Sequence, residues 1–87
     1  MARVYIPPQW RDLTGGQAEV DVEGDSLGRV VARLDQQFPG IAQRLTTAGA
    51  IASGLAVSID GAIAARGLLS GVGAESEIHI LPAIGGG

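Results

Sequence analysis

The chain has 87 residues, 46% of them hydrophobic, and a formal net charge of -3, so it holds one small core that buries about 60% of the unfolded surface. The acidic balance excludes the clustered Lys and Arg that nucleic acid rewards, and no apolar stretch approaches the ~20 residues a membrane span needs. Cysteine is absent, which excludes disulfides and thiolate metal sites, and Met1-Ala2-Arg3-Val4 begins no leader segment, so a soluble cytoplasmic protein is expected.

Residues 2–7 alternate, with Ala2, Val4 and Ile6 against Arg3 and Tyr5, the period of a half-buried strand that Pro7-Pro8 ends. A loop runs to Gly16, with Thr14-Gly15-Gly16 as its turn. Alternation resumes at Gln17, placing Ala18, Val20 and Val22 on one side and Glu19, Asp21 and Glu23 on the other. The two strands form an antiparallel hairpin. Gly24-Asp25-Ser26 carries a helix start, with Asp25 or Ser26 as N-cap. Leu27, Val30, Val31, Leu34 and Phe38 then lie on one helical face, and Pro39-Gly40 stops the helix. Gly28 sits inside that helix at a cost of ~1 kcal/mol relative to Ala, which predicts close approach to a strand.

Ile41 to Leu45 forms a short helical turn, and Thr46 to Gly54 reads as loop. Leu55, Val57 and Ile59 alternate as a strand, Asp60-Gly61 is a type I′ hairpin signal, and Ala62-Ile63-Ala64 returns. Leu68 to Gly73 is a compact connection. Glu75 or Ser76 opens a last strand through Leu81, which directs Ile78 and Ile80 inward and His79 and Leu81 outward. The order β-β-α-β-β-β, with one good helix, fits an α+β roll in which the helix covers one sheet face.

The last strand runs into Gly85-Gly86-Gly87. Glycine has no Cβ, so a narrow channel can close around its backbone, and a terminal carboxyl is open to nucleophilic attack once activated. Terminal glycines are also what a frayed end looks like. The three glycines alone leave both readings open.

Other candidate sites fail on chemistry. Gly71-Val72-Gly73 and Thr14-Gly15-Gly16 do not join a strand to a helix as a phosphate loop does, and the lysine such a loop needs is absent. His79 is the only histidine and has no cysteine beside it, so it reads as a packing or surface residue before a metal ligand. Asp60-Gly61 is a turn before anything catalytic. No paired carboxylates or nucleophile–base set stands out, and a self-contained enzyme is not expected. All six cations are Arg, so no side-chain amine of this chain could capture its own activated carboxyl, leaving only the N-terminus.

The element order, Leu81-Pro82-Ala83-Ile84 and the closing Gly86-Gly87 together resemble the ubiquitin-like sulfur-carrier proteins. That family includes the small subunit of molybdopterin synthase, the thiazole sulfur carrier and the cysteine-biosynthesis carrier. The likeness covers nearly the whole chain. It is strongest toward the cysteine-biosynthesis carrier, through Ile6-Pro7, Thr14-Gly15-Gly16-Gln17, Gly24-Asp25-Ser26-Leu27-Gly28, Gly40-Ile41, Arg44-Leu45 and Ile80-Leu81-Pro82-Ala83-Ile84. Three departures bear on the choice of partner. The turn before the last strand reads Gly73-Ala74-Glu75-Ser76, position 85 is glycine where alanine or serine is more usual, and the loop after Leu45 looks shorter.

The resemblance implies a β-grasp domain over residues 1–82, a mixed sheet of four to five strands with one main helix, and a Gly-rich tail over 83–87. It implies that an ATP-dependent adenylyltransferase of the ubiquitin-activating type activates the Gly87 carboxylate and that a sulfur donor converts it to a thiocarboxylate. Gly85 and Gly86 would thread the partner's channel, a span of ~17 Å for residues 83–87 at ~3.3 Å per residue. Tyr5, His79, Leu81 and Ile84 would form the docking surface, since the fold places the first and last strands side by side. No cofactor is bound by the carrier itself; ATP and pyridoxal phosphate belong to its partners. A pyridoxal-phosphate-dependent cysteine synthase would take the sulfur, and a zinc metalloprotease would release the cysteine. The molybdopterin and thiazole pathways are alternatives, as are a modifier joined to lysines of other proteins and a binding module whose tail is idle.

Overall fold

The computed structural model describes residues 1–82. β1 (Ala2–Tyr5) buries Ala2 and Val4, and its antiparallel partner β2 (Glu19–Val22) buries Val20 and Val22, as alternation requires. Ala18 lies before β2 and is exposed, because the strand starts at Glu19 rather than Gln17. The connection between them is more ordered than its sequence advertises. Pro8–Trp10 forms a 3-10 turn that puts Trp10 into the core, and the buried Thr14 hydroxyl donates to the Gln17 carbonyl at 2.8 Å. Proline at the head of that turn costs no hydrogen bond there, which is why the Pro-Pro pair starts a structure as well as ending a strand.

α1 (Leu27–Gln37) is capped by Ser26, whose hydroxyl accepts from the Arg29 N–H at 3.3 Å. Leu27, Val30, Val31 and Leu34 are buried against the sheet, and Phe38 is half-buried at the C-cap. Gly28 does permit a close approach, but not to a strand. A Cβ there would lie 3.2 Å from the Leu68 carbonyl oxygen, within the 3-10 turn Gly67–Leu69. α2 (Ile41–Leu45) follows at once, with Ile41 and Leu45 buried. Asp35 fixes this entry: one carboxylate oxygen accepts from the N–H groups of Gly40 and Ala42 at 3.1 and 3.0 Å.

The stretch expected to be loop after α2 is a small hairpin, β3 (Thr46–Thr47) and β4 (Ala50–Ile51). Its turn residues Ala48 and Gly49 have φ of 52° and 78°, the two positive values a type I′ turn requires. Alanine at the first of these hides the signal, since asparagine or aspartate is the usual occupant. β5 (Leu55–Ile59) and β6 (Ala62–Ile63) form the expected hairpin, with Asp60 and Gly61 at φ of 52° and 85°. β7 (Glu77–Pro82) opens one or two residues later than the Ser76 or Glu75 that the sequence indicates and runs one residue past Leu81.

The main sheet has five strands in the order β2-β1-β7-β5-β6. β7 is central, parallel to β1 and antiparallel to β5. The sheet is therefore mixed, with α1 on one face, the α+β roll that the element order implies. The core between helix and sheet joins Leu27, Val30 and Leu34 to Val4, Val22, Val57 and Ile78.

Candidate functional site

Strand alternation sets what the helix-free face of the sheet presents. Ile78 and Ile80 of β7 are buried, so Glu77, His79 and Leu81 point outward. Register carries the same sidedness to the neighbours. Tyr5 of β1 lies opposite His79 on one flank and Ser58 of β5 lies opposite it on the other. Glu19 extends this row beyond Tyr5, and Ile63 extends it beyond Ser58. At a strand spacing of ~4.8 Å, Tyr5 and Ile63 stand roughly 14 Å apart.

The Tyr5 and His79 rings are stacked, with centroids 4.3 Å apart and planes 3° from parallel. Each ring thereby shields one face of the other, and the pair makes a flat, semi-polar platform. Leu81, 40% exposed, comes next along β7, opposite Ala56. On the other side of the platform lies a charged row of Asp21, Arg3 and Glu77. Arg3 reaches Glu19 at 3.3 Å and Asp21 at 3.4 Å, and the hydrogen bond to Asp21, with Tyr5 and Glu19 assisting, raises its pKa above the ordinary value. The face thus grades from charged, where β7 begins, to aromatic and aliphatic, where β7 ends.

The start of β7 is pinned by Asp60. Its carboxylate accepts from the Glu77 N–H at 2.8 Å and from the Ser76 hydroxyl at 2.7 Å, while the Ser76 oxygen accepts from the Gly73 N–H at 2.8 Å. The Asp60 N–H in turn donates to the Glu77 carbonyl at 2.9 Å. These donors favour the charged form, so the Asp60 pKa is lowered, chiefly by the Glu77 backbone. Asp60-Gly61 is a turn, as the sequence indicates, but the aspartate also orders the strand that leads to the C-terminus. The signal available in the sequence is that its side chain can serve as an acceptor as well as tolerate positive φ.

The sequence groups Tyr5, His79 and Leu81 on one surface, and the structure brings them together. Ser58 and Ile63 escape sequence reasoning, because their membership of this face depends on cross-strand register rather than on residue type, whereas Arg3 and Glu77 follow from the alternation that sets Tyr5 and His79. Ile84, Gly85, Gly86 and Gly87 lie outside the described residues. Gly71-Val72-Gly73 meets a different need: Val72 is buried and its N–H donates to the Asp25 carbonyl, which ties this connection to the head of α1. Among the described residues no cluster of His, Cys, Asp or Glu is arranged to hold a metal, and no helix is long and apolar enough to cross a membrane.

A five-stranded mixed sheet with one covering helix and its C-terminal strand in the centre is a β-grasp domain. Residues 4–87 match the ThiS family, and the chain belongs to it. It is 32% identical to the sulfur carrier protein CysO of Mycobacterium tuberculosis over 97% of this chain and 96% of that protein. The crystal structure of M. tuberculosis CysO superposes with a TM-score of 0.89 at 29% identity, covering 97% of this chain and all (100%) of that one. A chain of the Amycolatopsis orientalis BexX/CysO complex superposes with a TM-score of 0.92 at 26% identity, covering 100% of both. The resemblance to the ubiquitin-like sulfur carriers is thus borne out.

Proposed function

We propose that this chain is a sulfur carrier whose Gly87 carboxylate is activated and then loaded with sulfur by partner enzymes, with cysteine synthesis as the destination. The observation that carries this reading is the 32% identity to a protein named as a sulfur carrier, along almost the full length of both chains. The chemistry follows from the carboxylate. An oxygen of Gly87 attacks the α-phosphate of ATP, pyrophosphate leaves, and the acyl adenylate makes AMP the next leaving group. A donor at the sulfide level, HS⁻, attacks the acyl carbon, the bond to the AMP oxygen breaks with its electron pair leaving on AMP, and loss of the S–H proton leaves a thiocarboxylate. Its sulfur would then be taken up by a pyridoxal-phosphate-dependent cysteine synthase, whose cofactor supplies the electrophilic β-carbon; the resulting thioester would rearrange to an amide, which a metalloprotease would hydrolyse to free cysteine. All of this belongs in the cytoplasm, with ATP and pyridoxal phosphate supplied on the partners.

The carrier contributes position rather than catalysis. Tyr5, His79 and Leu81 form the surface on which an adenylyltransferase docks, joined by Ile84, and Gly85 and Gly86 enter its channel. Holding the acyl group beside ATP converts a bimolecular encounter into a local one, which is where a carrier lowers the barrier. The BexX/CysO complex supports this reading in one respect: a CysO-type protein there is assembled with another protein.

The test is pyrophosphate exchange with the cognate adenylyltransferase, followed by intact mass. Full-length protein should exchange and, with a sulfur donor, gain the mass of one sulfur less one oxygen. Removal of Gly87 should abolish exchange without lowering the melting temperature. Exchange by the Gly87-deleted chain would sink the reading, and appearance only in lysine conjugates of other proteins would make the chain a modifier instead. Addition of the thiocarboxylate form to a pyridoxal-phosphate synthase with O-phosphoserine or O-acetylserine should give a cysteinyl adduct on Gly87. Turnover by a molybdopterin synthase large subunit without that adduct would move the pathway.

A further inference from the structure

The chain carries its positive charge on Arg3, Arg11, Arg29, Arg33, Arg44 and Arg66 and has no lysine. The geometry explains arginine at only some of these positions. Arg44 grips both oxygens of Asp12, at 3.2 and 3.3 Å, and Arg3 spans two carboxylates, Glu19 and Asp21. Those arrangements use the planar fork that lysine lacks. Arg29 and Arg33 use nothing of the kind. Arg29 meets Asp25 through one nitrogen at 3.4 Å with 76% of its side chain exposed, and Arg33 meets Glu23 at 4.0 Å with 59% exposed. An ammonium would serve equally well in either pair.

What still separates the two side chains at such positions is nucleophilicity. About 0.4% of a lysine side chain is neutral at pH 8, and the neutral fraction of a guanidinium is at least about a hundredfold smaller. A neutral lysine nitrogen would attack the acyl carbon of an activated C-terminus, the bond to the AMP oxygen would break with its electron pair leaving on AMP, and the ammonium proton would pass to water. Cysteine, the other strong side-chain nucleophile, is absent as well. The single imidazole, His79, would give only an acyl-imidazole, which water or a thiol reopens. We propose that the arginine-only surface makes this chain a poor acyl acceptor: no side-chain amine or thiol of one copy captures the activated carboxyl of another, which leaves the Met1 α-amine as the one strong nucleophile of the chain, so the activated form does not branch onto its own copies while it waits for sulfur. This rests on the carrier reading for its purpose but not for its chemistry.

The experiment uses the full-length chain activated in two ways, by its adenylyltransferase with ATP and no sulfur donor, and as a C-terminal aryl thioester made by intein cleavage. Copy-to-copy products are measured by intact mass and mapped by tandem mass spectrometry. The unaltered chain should give no side-chain-linked product in either arm. Arg29→Lys and Arg33→Lys, which keep the charge and the ion pairs, should give amide-linked dimers at the introduced lysine, at least tenfold above the unaltered chain. A side-chain-linked product from the unaltered chain would overturn the proposal, as would lysine variants that form none. Failure of the enzymatic arm alone, with the thioester arm behaving as stated, would count against the carrier reading and leave this inference supported.

Discussion

His79 lies against Tyr5 ring to ring, 4.3 Å between centroids, across the parallel β1–β7 pair. The stack sets the height and flatness of the surface next to Leu81, so the three residues present one continuous patch, the one proposed to dock the partner. Leu81→Asp places a charge on the apolar end of that surface while leaving the core untouched. We expect affinity for the adenylyltransferase to fall at least tenfold, about 1.4 kcal/mol, with the melting temperature changed little. Titration calorimetry against the partner checks the first part and thermal unfolding the second. Unchanged affinity would remove Leu81 from the docking surface.

Asp60 sets an acid limit. Its pKa in the folded chain is lowered, so its contribution to stability is fully present above the ordinary carboxylate value of about 3.9 and is lost as pH falls through the lowered folded value. Asp60→Asn should remove that part of the acid dependence and loosen the first residues of β7. Urea unfolding between pH 2 and 5, with amide exchange at Ser76 and Glu77, reads both effects.

Leu34 is 1% exposed and packs beneath the sheet. Leu34→Ala should cost about 2–5 kcal/mol, the range for a buried leucine whose neighbours relax only partly. Denaturant unfolding at constant m-value measures it.

Asp35 caps α2 through two N–H groups that otherwise have no helical partner. Asp35→Ala should cost about 1 kcal/mol and Asp35→Asn clearly less, because the amide oxygen can still accept. If both variants lose the same amount, the cap is not what the aspartate supplies.

Much of this fold is legible in the sequence because local chemistry and tertiary demand agree. The α1 stripe, the Asp60-Gly61 turn and the alternation of Ile78 and Ile80 each follow from one periodicity or one turn signal, and the structure has all three. The β3–β4 hairpin is not legible, since Ala48 occupies a positive-φ position that alanine rarely takes and the strands are too short to show alternation. Trp10 escapes as well: its burial depends on a proline-led turn folding back onto the core, a non-local event. Gly28 signals a close approach without naming its partner, which is Leu68 and not a strand, brought there by a 3-10 turn no periodicity announces. For the site, residue types point to Tyr5, His79 and Leu81. Ser58 and Ile63 join them only through register, which no single strand encodes.

The central placement of β7 has a mechanical consequence. Its ladder with β1 covers Glu77–His79, and its ladder with β5 covers Ile78–Pro82. Tension applied at Pro82 along the strand therefore loads both ladders in shear, across hydrogen bonds that lie sideways to the pull, instead of peeling them open one at a time. A strand at the sheet edge would have one such ladder to resist with. An enzyme that grips the chain past Pro82 can haul on it, and the domain behind will act as a rigid stop.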